Sequence, residues 1–288
     1  MSAAGPSDGA RTPERAARSA ARGGHPSGTR IALWVLASIL MVFLIAPIVI
    51  IMITSFNGTP YMEFPPKSLS LRWYANFFTS PHWYQTAFTS LKVAVPTMIA
   101  ATVLGTSAAI GIVRGSFPGR RALEAFFVSP MVVPIVVIAL GFYFLFSGYK
   151  LLDTPLALFL GHTVIATPLV IVMVRAALQT TNPAMEFAAR SLGADFWRAL
   201  WYVTLPSVRA AIGSAAAFAF LISFDDVVIA IFVAGPDSTT LPKRMWETIR
   251  FEIDPTLTAI ASLLTVVAVA VLVTGELFRR GDPSERAE

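Results

Sequence analysis

The chain has 288 residues, of which 55% are hydrophobic and only 14% are charged, and its mean hydropathy is +0.67. A soluble domain carries about a quarter of charged residues, so this composition indicates a membrane protein. The chain has no Cys, which excludes disulfides, thiolate metal sites and a Cys nucleophile, and its three scattered His do not suggest a metal centre.

The first 30 residues are rich in Gly, Pro, Ser, Ala and Arg, a composition that predicts a disordered tail. The run Ile31–Ile53 follows without a charge and is long enough to cross a hydrocarbon core of about 30 Å as a helix. A cleaved signal peptide would have a shorter apolar core and a small-residue cleavage site. We therefore predict an uncleaved first span.

Five more apolar runs follow, too long for core strands and without strand alternation, so we predict an all-α membrane protein with six transmembrane helices. A tail of residues 279–288 follows the helical domain of residues 31–278. Prolines inside the runs predict kinks. The predicted spans are 31–53, 93–113, 125–149, 154–174, 210–234 and 255–275, with Pro47, Pro96, Pro130, Pro134 and Pro168 inside them.

The distribution of Lys and Arg predicts the orientation of these spans. With both termini in the cytoplasm, fifteen of the 22 basic residues fall on the cytoplasmic side and seven on the other. This bias accounts for the net charge of +5. The basic residues lack the one-face clustering of a nucleic-acid patch, so membrane lipid is predicted as a partner and nucleic acid is not.

The long outer segment between the first two spans, residues 54–91, is rich in Trp, Tyr and Phe. Such aromatic side chains suit the headgroup region of a membrane. We predict a short helix near residues 70–79 that lies along the outer surface as an interfacial anchor.

The signatures of common enzymes are missing from the sequence. There is no P-loop motif, no H-E-x-x-H and no G-x-S-x-G, so we predict neither enzymatic activity nor ATP binding through a P-loop. His162 lies in the fourth predicted span without an acidic residue in that span. We interpret it as a hydrogen-bonding residue in helix packing rather than as a proton relay.

The segment between the fourth and fifth spans, residues 181–211, is patterned like two short helices, and we call it the bracket. Asn182 and Pro183 suit the start of a first helix, which Gly193 can end in a left-handed conformation. Asp195 can cap a second helix with an apolar aromatic face, and Pro206 is predicted to stop it. Exposed apolar surface implies a partner, although the bracket could instead pack on the protein's own helices or on lipid.

The bracket resembles a cytoplasmic motif of the permease subunits of bacterial ABC importers. That motif reads E-A-A, three residues, G, nine residues, I-x-L-P, and this chain reads FAA at 187–189, G at 193 and VTLP at 203–206. Two positions depart from the motif, Phe187 for Glu and Val203 for Ile. The resemblance implies that the bracket is a coupling helix that docks on an ATPase subunit. The residues it assigns to coupling are Glu186, Phe187, Ala188, Ala189, Arg190, Gly193, Leu205 and Pro206.

Other stretches are similar to permeases of spermidine/putrescine importers, most of all the C-type subunit. They are SFN at 55–57, LRWY at 71–74, SFDDVV at 223–228, GP at 235–236 and LP at 241–242. This resemblance implies transport of polyamines or a related small nitrogen compound by alternating access. It also implies a second homologous permease, two ATPase subunits that bind ATP and Mg, no cofactor in this chain, and an extracytoplasmic binding protein in a bacterial inner-membrane complex.

Asp225 and Asp226 interrupt the fifth predicted span, where an isolated carboxylate costs about 2.5–3.5 kcal/mol. Three accounts stay open: a carboxylate faces the substrate pathway, or the span breaks and Ser223 or an aspartate caps its outer half, or a carboxylate pairs with the partner permease. Neighbours on a helix point about 100° apart, so the two aspartates should not share one role. The alternative function is a secondary transporter or channel that uses both as ion sites.

Overall fold

A computed structural model of the chain describes residues 28–61, 63–251 and 254–280. Most of the two predicted tails, residues 1–27 and 281–288, therefore lies outside the described residues. Over the described ranges the regular structure is helical, and an isolated antiparallel bridge joins Asn57 to Leu69.

The helices of the described residues follow one another along the chain with short connections. The α-helices are α1 Gly28–Thr54, α2 Arg72–Thr79, α3 Pro81–Arg114, α4 Arg120–Val128, α5 Ile135–Gly148, α6 Pro155–Thr180, α7 Ala184–Ser191, α8 Phe196–Ala199, α9 Leu205–Ser207, α10 Arg209–Phe224, α11 Val228–Val233, α12 Leu241–Phe251 and α13 Thr256–Arg280; Ser129–Met131 is a 3₁₀ turn and Leu200–Thr204 a π-helical turn.

The apolar runs locate the helices but misjudge some of their ends. Helix α3 begins at Pro81, twelve residues before the predicted second span, directly after Ser80 in an extended conformation. Its first turns bury Trp83, Thr86 and Ser90, partly against α2 and α12, so the helix includes polar residues that a hydropathy criterion rejects. Helix α6 likewise continues to Thr180, beyond the predicted end at residue 174.

The third predicted span, 125–149, is not one straight helix. The chain leaves α4 through the 3₁₀ turn that contains Pro130, passes Pro134 and enters α5 at an angle of 96° to the preceding helix. Two prolines four residues apart remove two backbone donors, which explains a break where a kink was predicted. Helices α1, α3 and α6 continue through their internal prolines.

Three helices among the described residues are long and apolar enough to cross a membrane: α1 from Arg30, α3 and α6. The number rises to five if each of two bent pairs forms one span, namely α4 with α5, and Phe196–Ser207 with α10. A shorter apolar helix covers Thr256–Val271. The count of six spans therefore stays a prediction.

Helices α3, α6 and α10 form the central packing unit, and small residues line their contacts. An added Cβ at Gly105 on α3 would lie 2.6 Å from the Cβ of Val170 on α6, so only glycine permits this approach. Small residues let apolar helices pack closely where no water drives association. The buried members of this cluster are Ala101, Ala109, Ala166, Val170, Val174, Leu178, Val208, Ala215 and Ala219.

Two further buried clusters surround the central unit. One joins α5 and α11 to α3 and α6 around Ile229, and the other joins α2, α12 and α13 around Leu241. Helix α1 packs against α13, and its apolar side chains remain largely exposed. The predicted surface helix near 70–79 is confirmed as α2, while its placement along a membrane stays a prediction.

Candidate functional site

The first half of the bracket forms as its capping residues predict. The Asn182 side chain accepts a hydrogen bond from the N–H of Ala184 at 2.9 Å at the start of α7. Gly193 follows the helix with φ of +93°, which confirms the predicted left-handed end. Asp195 then caps α8 by accepting from the N–H of Arg198 at 2.7 Å, again as predicted.

The second half differs from the prediction at Pro206. Helix α8 continues through the π-helical turn into α9, and Pro206 lies at the start of α9 rather than ending the helix. The π-helical turn before Pro206, in which the Leu205 N–H bonds to the Leu200 carbonyl, loosens the regular i to i−4 hydrogen bonding that a proline would otherwise interrupt. The chain changes direction at Val208 instead, and α10 leaves at 72° to the preceding helix.

The bracket exposes large apolar side chains on both of its helical segments. Phe187, which occupies the motif position of Glu, is 65% exposed, and Leu192 is 90% exposed. Exposed apolar side chains of this size are typical of surfaces that contact another protein or a membrane. Its other exposed members are Met185, Phe196, Trp197, Trp201 and Tyr202.

The predicted coupling residues divide by exposure into two groups. Those on the surface of the bracket are Phe187, Ala188, Arg190, Gly193 and Pro206, and those half-buried are Glu186, Ala189 and Leu205. Glu186 turns back toward the helix bundle, where its carboxylate binds Arg114 at the end of α3. The bracket is therefore attached to the bundle on one side and open on the other.

The fifth predicted span, 210–234, is broken at the two aspartates. Helix α10 ends at Phe224, Asp225 is its C-cap, and α11 begins three residues later at Val228. The side chain of Asp226 accepts from the N–H groups of Ile229 at 2.9 Å and Ala230 at 3.3 Å. Of the three accounts, a broken span with an aspartate cap matches the geometry of Asp226.

The two aspartates have different surroundings, as their 100° separation on a helix predicts. Asp225 is exposed, whereas only 8% of Asp226 is accessible. The fully buried His162 of α6 lies beside Asp226, with its Nε2 3.4 Å from a carboxylate oxygen. The other ring nitrogen, Nδ1, is 2.8 Å from the hydroxyl of Ser223. We call His162, Ser223 and Asp226 the buried cluster.

The buried cluster corrects the reasoning about His162. The span of His162 contains no acidic residue, but Asp226 of the broken fifth span lies beside it. The histidine nevertheless takes the packing role expected of it, because it links α6 to both sides of the break. Sequence position alone gave no signal for the contact between residues 64 positions apart.

A second polar assembly, which the sequence did not suggest, holds the loop between α11 and α12. Asp153 accepts hydrogen bonds from the N–H groups of Gly235, Asp237 and Ser238 and from the Ser238 hydroxyl, at 2.8–3.2 Å. The ammonium group of Lys243 donates to the carbonyl of Ala234. We call this assembly, together with the bond from the Leu241 N–H to the Ser90 hydroxyl, the loop clamp.

The hydrogen bonds of the loop clamp alter the acidity of Asp153. Burial by itself raises the pKa of this carboxyl, but the Ser238 hydroxyl and three backbone N–H groups bind the ionised form. Together these hydrogen bonds outweigh the effect of burial and hold the pKa of Asp153 below its ordinary value of 3.8. An open cleft of about 1000 Å³ lies beside the clamp, between the start of α3, the 235–239 loop and α12.

Over the described residues the chain is a set of apolar helices of membrane-protein type with a capped bracket that exposes aromatic side chains. The profile of the family described as the binding-protein-dependent transport system inner membrane component matches residues 101–280, more than half of the chain. The chain therefore belongs to this family of ABC importer permeases, which are membrane components and not enzymes. This membership excludes the alternative of an ion-gradient-driven transporter or channel.

Two relatives and a solved structure agree with this membership. The chain is 33% identical to the putrescine transport system permease protein PotI of Escherichia coli K12, over 77% of this chain and 81% of PotI. It is 28% identical to the spermidine/putrescine permease PotC of the same strain, over 83% and 90% respectively. A chain from the crystal structure of a bacterial ABC transporter involved in the import of alginate superposes with a TM-score of 0.67, covering 90% of this chain and 99% of that one, and at 14% identity it shows the fold alone.

Proposed function

We propose that this permease carries putrescine, spermidine or a related small nitrogen compound across the inner membrane by alternating access. The observation that carries the proposal is the 33% identity to a putrescine permease over 77% of the chain. The broken fifth span supports it as well, because a carboxylate there is available to a cationic substrate.

The exposed carboxylate of Asp225 is the one assigned to the pathway. Asp226 is occupied as a helix cap and as the neighbour of His162, so it has little capacity left for a substrate. Asp225, the C-cap residue of α10, is exposed. Its negative charge attracts an amine through a water-filled path.

The complex contains a second homologous permease, two ATPase subunits and an extracytoplasmic binding protein. Dependence on a binding protein is the printed description of the family. The exposed apolar patch of the bracket fits a cleft on an ATPase, which binds the ATP and Mg. The exposed apolar face of α1 contacts lipid or the second permease.

The bracket and both termini face the cytoplasm. Fifteen of the 22 Lys and Arg residues support this orientation. The contact between Arg114 and Glu186 brings the α3–α4 connection and the bracket to the same end of the bundle, in agreement with the predicted sides.

A transport assay tests the proposal. The full chain carries an affinity tag in its native host, and the purified complex is reconstituted in liposomes with its binding protein and radiolabelled putrescine. We expect an ATPase to copurify and uptake to require ATP hydrolysis, with Asp225→Asn reducing uptake by about tenfold through loss of the charge.

Three outcomes would contradict this proposal. The first is uptake without ATP. The second is a binding protein to which neither putrescine nor spermidine binds. The third is uptake at the wild-type level by Asp225→Asn. The first rejects the coupling to an ATPase, the second rejects the substrate class, and the third rejects only the pathway role of Asp225.

A further inference from the structure

The bracket is joined to the bundle by Arg114, the last residue of α3. The Nε and Nη2 atoms of Arg114 lie 3.0 and 2.9 Å from one carboxylate oxygen of Glu186. The same Nη2 donates to the hydroxyl of Thr181 at 3.0 Å, and that hydroxyl donates to the carbonyl of Leu178 at 2.8 Å. One guanidinium thus contacts the end of α6 and the first turn of α7.

Three helix ends meet at this guanidinium, and their charges are complementary. The positive charge lies at the C-termini of α3 and α6, where helix dipoles favour cations. Glu186 lies in the first turn of α7, where the dipole favours an anion. The Arg114 and Glu186 side chains are only 18% and 21% exposed, so water screens this pair less than an ordinary surface pair.

Phe187 and Glu186 are neighbours on α7 but face different surfaces. Phe187 occupies the position of the motif Glu and is exposed, whereas Glu186, one residue earlier, points to the bundle. Successive residues of a helix point about 100° apart, so the two side chains serve different surfaces. In this chain the outer surface of the bracket presents Phe187 where the motif has a carboxylate, and the carboxylate of α7 is used internally.

We propose that Arg114 is a positioning residue for energy coupling, which fixes the bracket to the ends of α3 and α6 through Glu186 and Thr181. The inference rests on the proposed coupling of the bracket to an ATPase. A displacement of the bracket then moves both helices as one body, because two hydrogen bonds from the charged guanidinium and its ion pair with Glu186 resist sliding between them. Without Arg114 the bracket still docks but moves against the bundle.

The chain offers a matched control at the same end of the bundle. Arg175 of α6 forms an ion pair with Glu124 of α4, and their side chains are 37% and 22% exposed. This pair also joins two helices, with Arg175 more exposed than Arg114, and neither of its residues belongs to the bracket. Loss of Arg175 therefore removes an arginine ion pair without releasing α7.

The experiment uses the full complex, purified with its ATPase and binding protein and reconstituted in lipid nanodiscs. The variants are Arg114→Ala, Arg114→Lys, Glu186→Gln, the double variant Arg114→Ala with Glu186→Gln, and Arg175→Ala. The first readout is the stimulation of ATP hydrolysis by the loaded binding protein. The second is a nitroxide distance distribution between Leu192→Cys and Val103→Cys, which the absence of native Cys makes selective.

We expect Arg114→Ala to keep ATPase copurification and basal hydrolysis within about twofold, and to lose about fivefold in stimulation, the low end of ordinary coupling. Its distance distribution broadens. The stimulation in Arg114→Lys is intermediate, because an ammonium keeps the charge but cannot reproduce the planar guanidinium that binds Glu186 and Thr181 together. The double variant loses no more stimulation than Arg114→Ala, because both substitutions break the same contact between Arg114 and Glu186. Arg175→Ala behaves as wild type.

Each other result overturns the inference. Unchanged stimulation and a narrow distribution in Arg114→Ala mean that the bracket is fixed by other contacts. Additive losses in the double variant mean that Arg114 and Glu186 act separately, and an equal loss in Arg175→Ala means a general electrostatic effect. A wild-type chain that copurifies no ATPase would instead reject the proposed function.

Discussion

The bracket and the broken fifth span both interrupt the apolar helices, but the chain treats them differently. At the break, Asp226 caps α11, His162 and Ser223 flank it, and the loop clamp holds the following loop. The bracket presents aromatic side chains outward and is attached to the end of α3 through Glu186. Most polar groups at the break find partners within the chain, with the buried Nε2 of His162 as an exception, whereas the bracket leaves large apolar side chains exposed.

This difference predicts that substitutions at the break lower stability and that substitutions on the bracket lower assembly. The largest loss is expected for Asp226→Ala, which leaves the buried N–H donors of Ile229 and Ala230 without their acceptor. We expect a loss of about 3 kcal/mol in the free energy of unfolding, measured by thermal denaturation in detergent. The exposed neighbour provides the control, because Asp225→Ala should change stability by less than about 0.5 kcal/mol. Equal losses in both variants would remove the distinction between the two aspartates.

The loop clamp provides the next prediction. An added Cβ at Gly235 would lie 2.5 Å from the Asp153 carboxylate, so Gly235→Ala forces the clamp apart. We expect a loss of about 1–3 kcal/mol in the same measurement. Gly148→Ala at the end of α5 is the matched control, because nothing lies within 4 Å of its added Cβ. If both alanine variants unfold at the same temperature as the wild-type protein, the loop clamp is not rigid.

The lowered pKa of Asp153 predicts a smaller effect that depends on pH. A carboxyl with a depressed folded pKa stabilises the protein above its unfolded value, near 3.8, and this contribution is lost as pH falls through the folded value. Stability from the clamp is therefore constant from pH 7 to 5 and declines only below about pH 4. Asp153→Asn should flatten this decline, whereas Asp237→Asn on the same loop should retain it. A decline of equal steepness in Asp153→Asn would mean that other carboxyls control acid unfolding.

The smallest effect on stability is expected on the bracket. Trp201→Ala removes an exposed side chain, so the free energy of unfolding should change by less than about 0.5 kcal/mol. The same change should weaken ATPase association by about tenfold or more, measured by titration of the purified ATPase, because aromatic anchors dominate interfaces. Trp246→Ala on α12 is the control and should leave association unchanged. Full association of Trp201→Ala would exclude Trp201 from the interface, and a large loss of stability would show that the bracket has an internal role.

The local features of the molecule were predictable from sequence, and the contacts between distant segments were not. The left-handed Gly193 and the cap at Asp195 follow from residue type and spacing, and both are confirmed. The approach of His162 to Asp226 depends on how two helices pack, which no local pattern encodes. Asp153 escaped notice for the same reason, since its partners are more than 80 residues away.

The ends of helices show a related limit. Hydropathy detects the part of a helix that could contact lipid, so it missed the polar first turns of α3, of which one side is buried against protein. It also merged α4 and α5, because the residues around their prolines are apolar whether or not the helix continues. The motif spacing of the bracket was more informative than hydropathy, because it indicated a particular family, and the family is confirmed over residues 101–280.

The short length of α10 has a consequence for biogenesis. Its 16 residues extend about 24 Å, less than a hydrocarbon core of about 30 Å, and two carboxylates follow directly. Such a segment enters a bilayer poorly by itself. Helix α6 precedes it in the chain and carries His162, so the polar neighbour is already synthesised when Asp226 emerges. Because α6 is synthesised before α10, the polar neighbour of Asp226 is available in the membrane before the short, carboxylate-bearing segment is inserted.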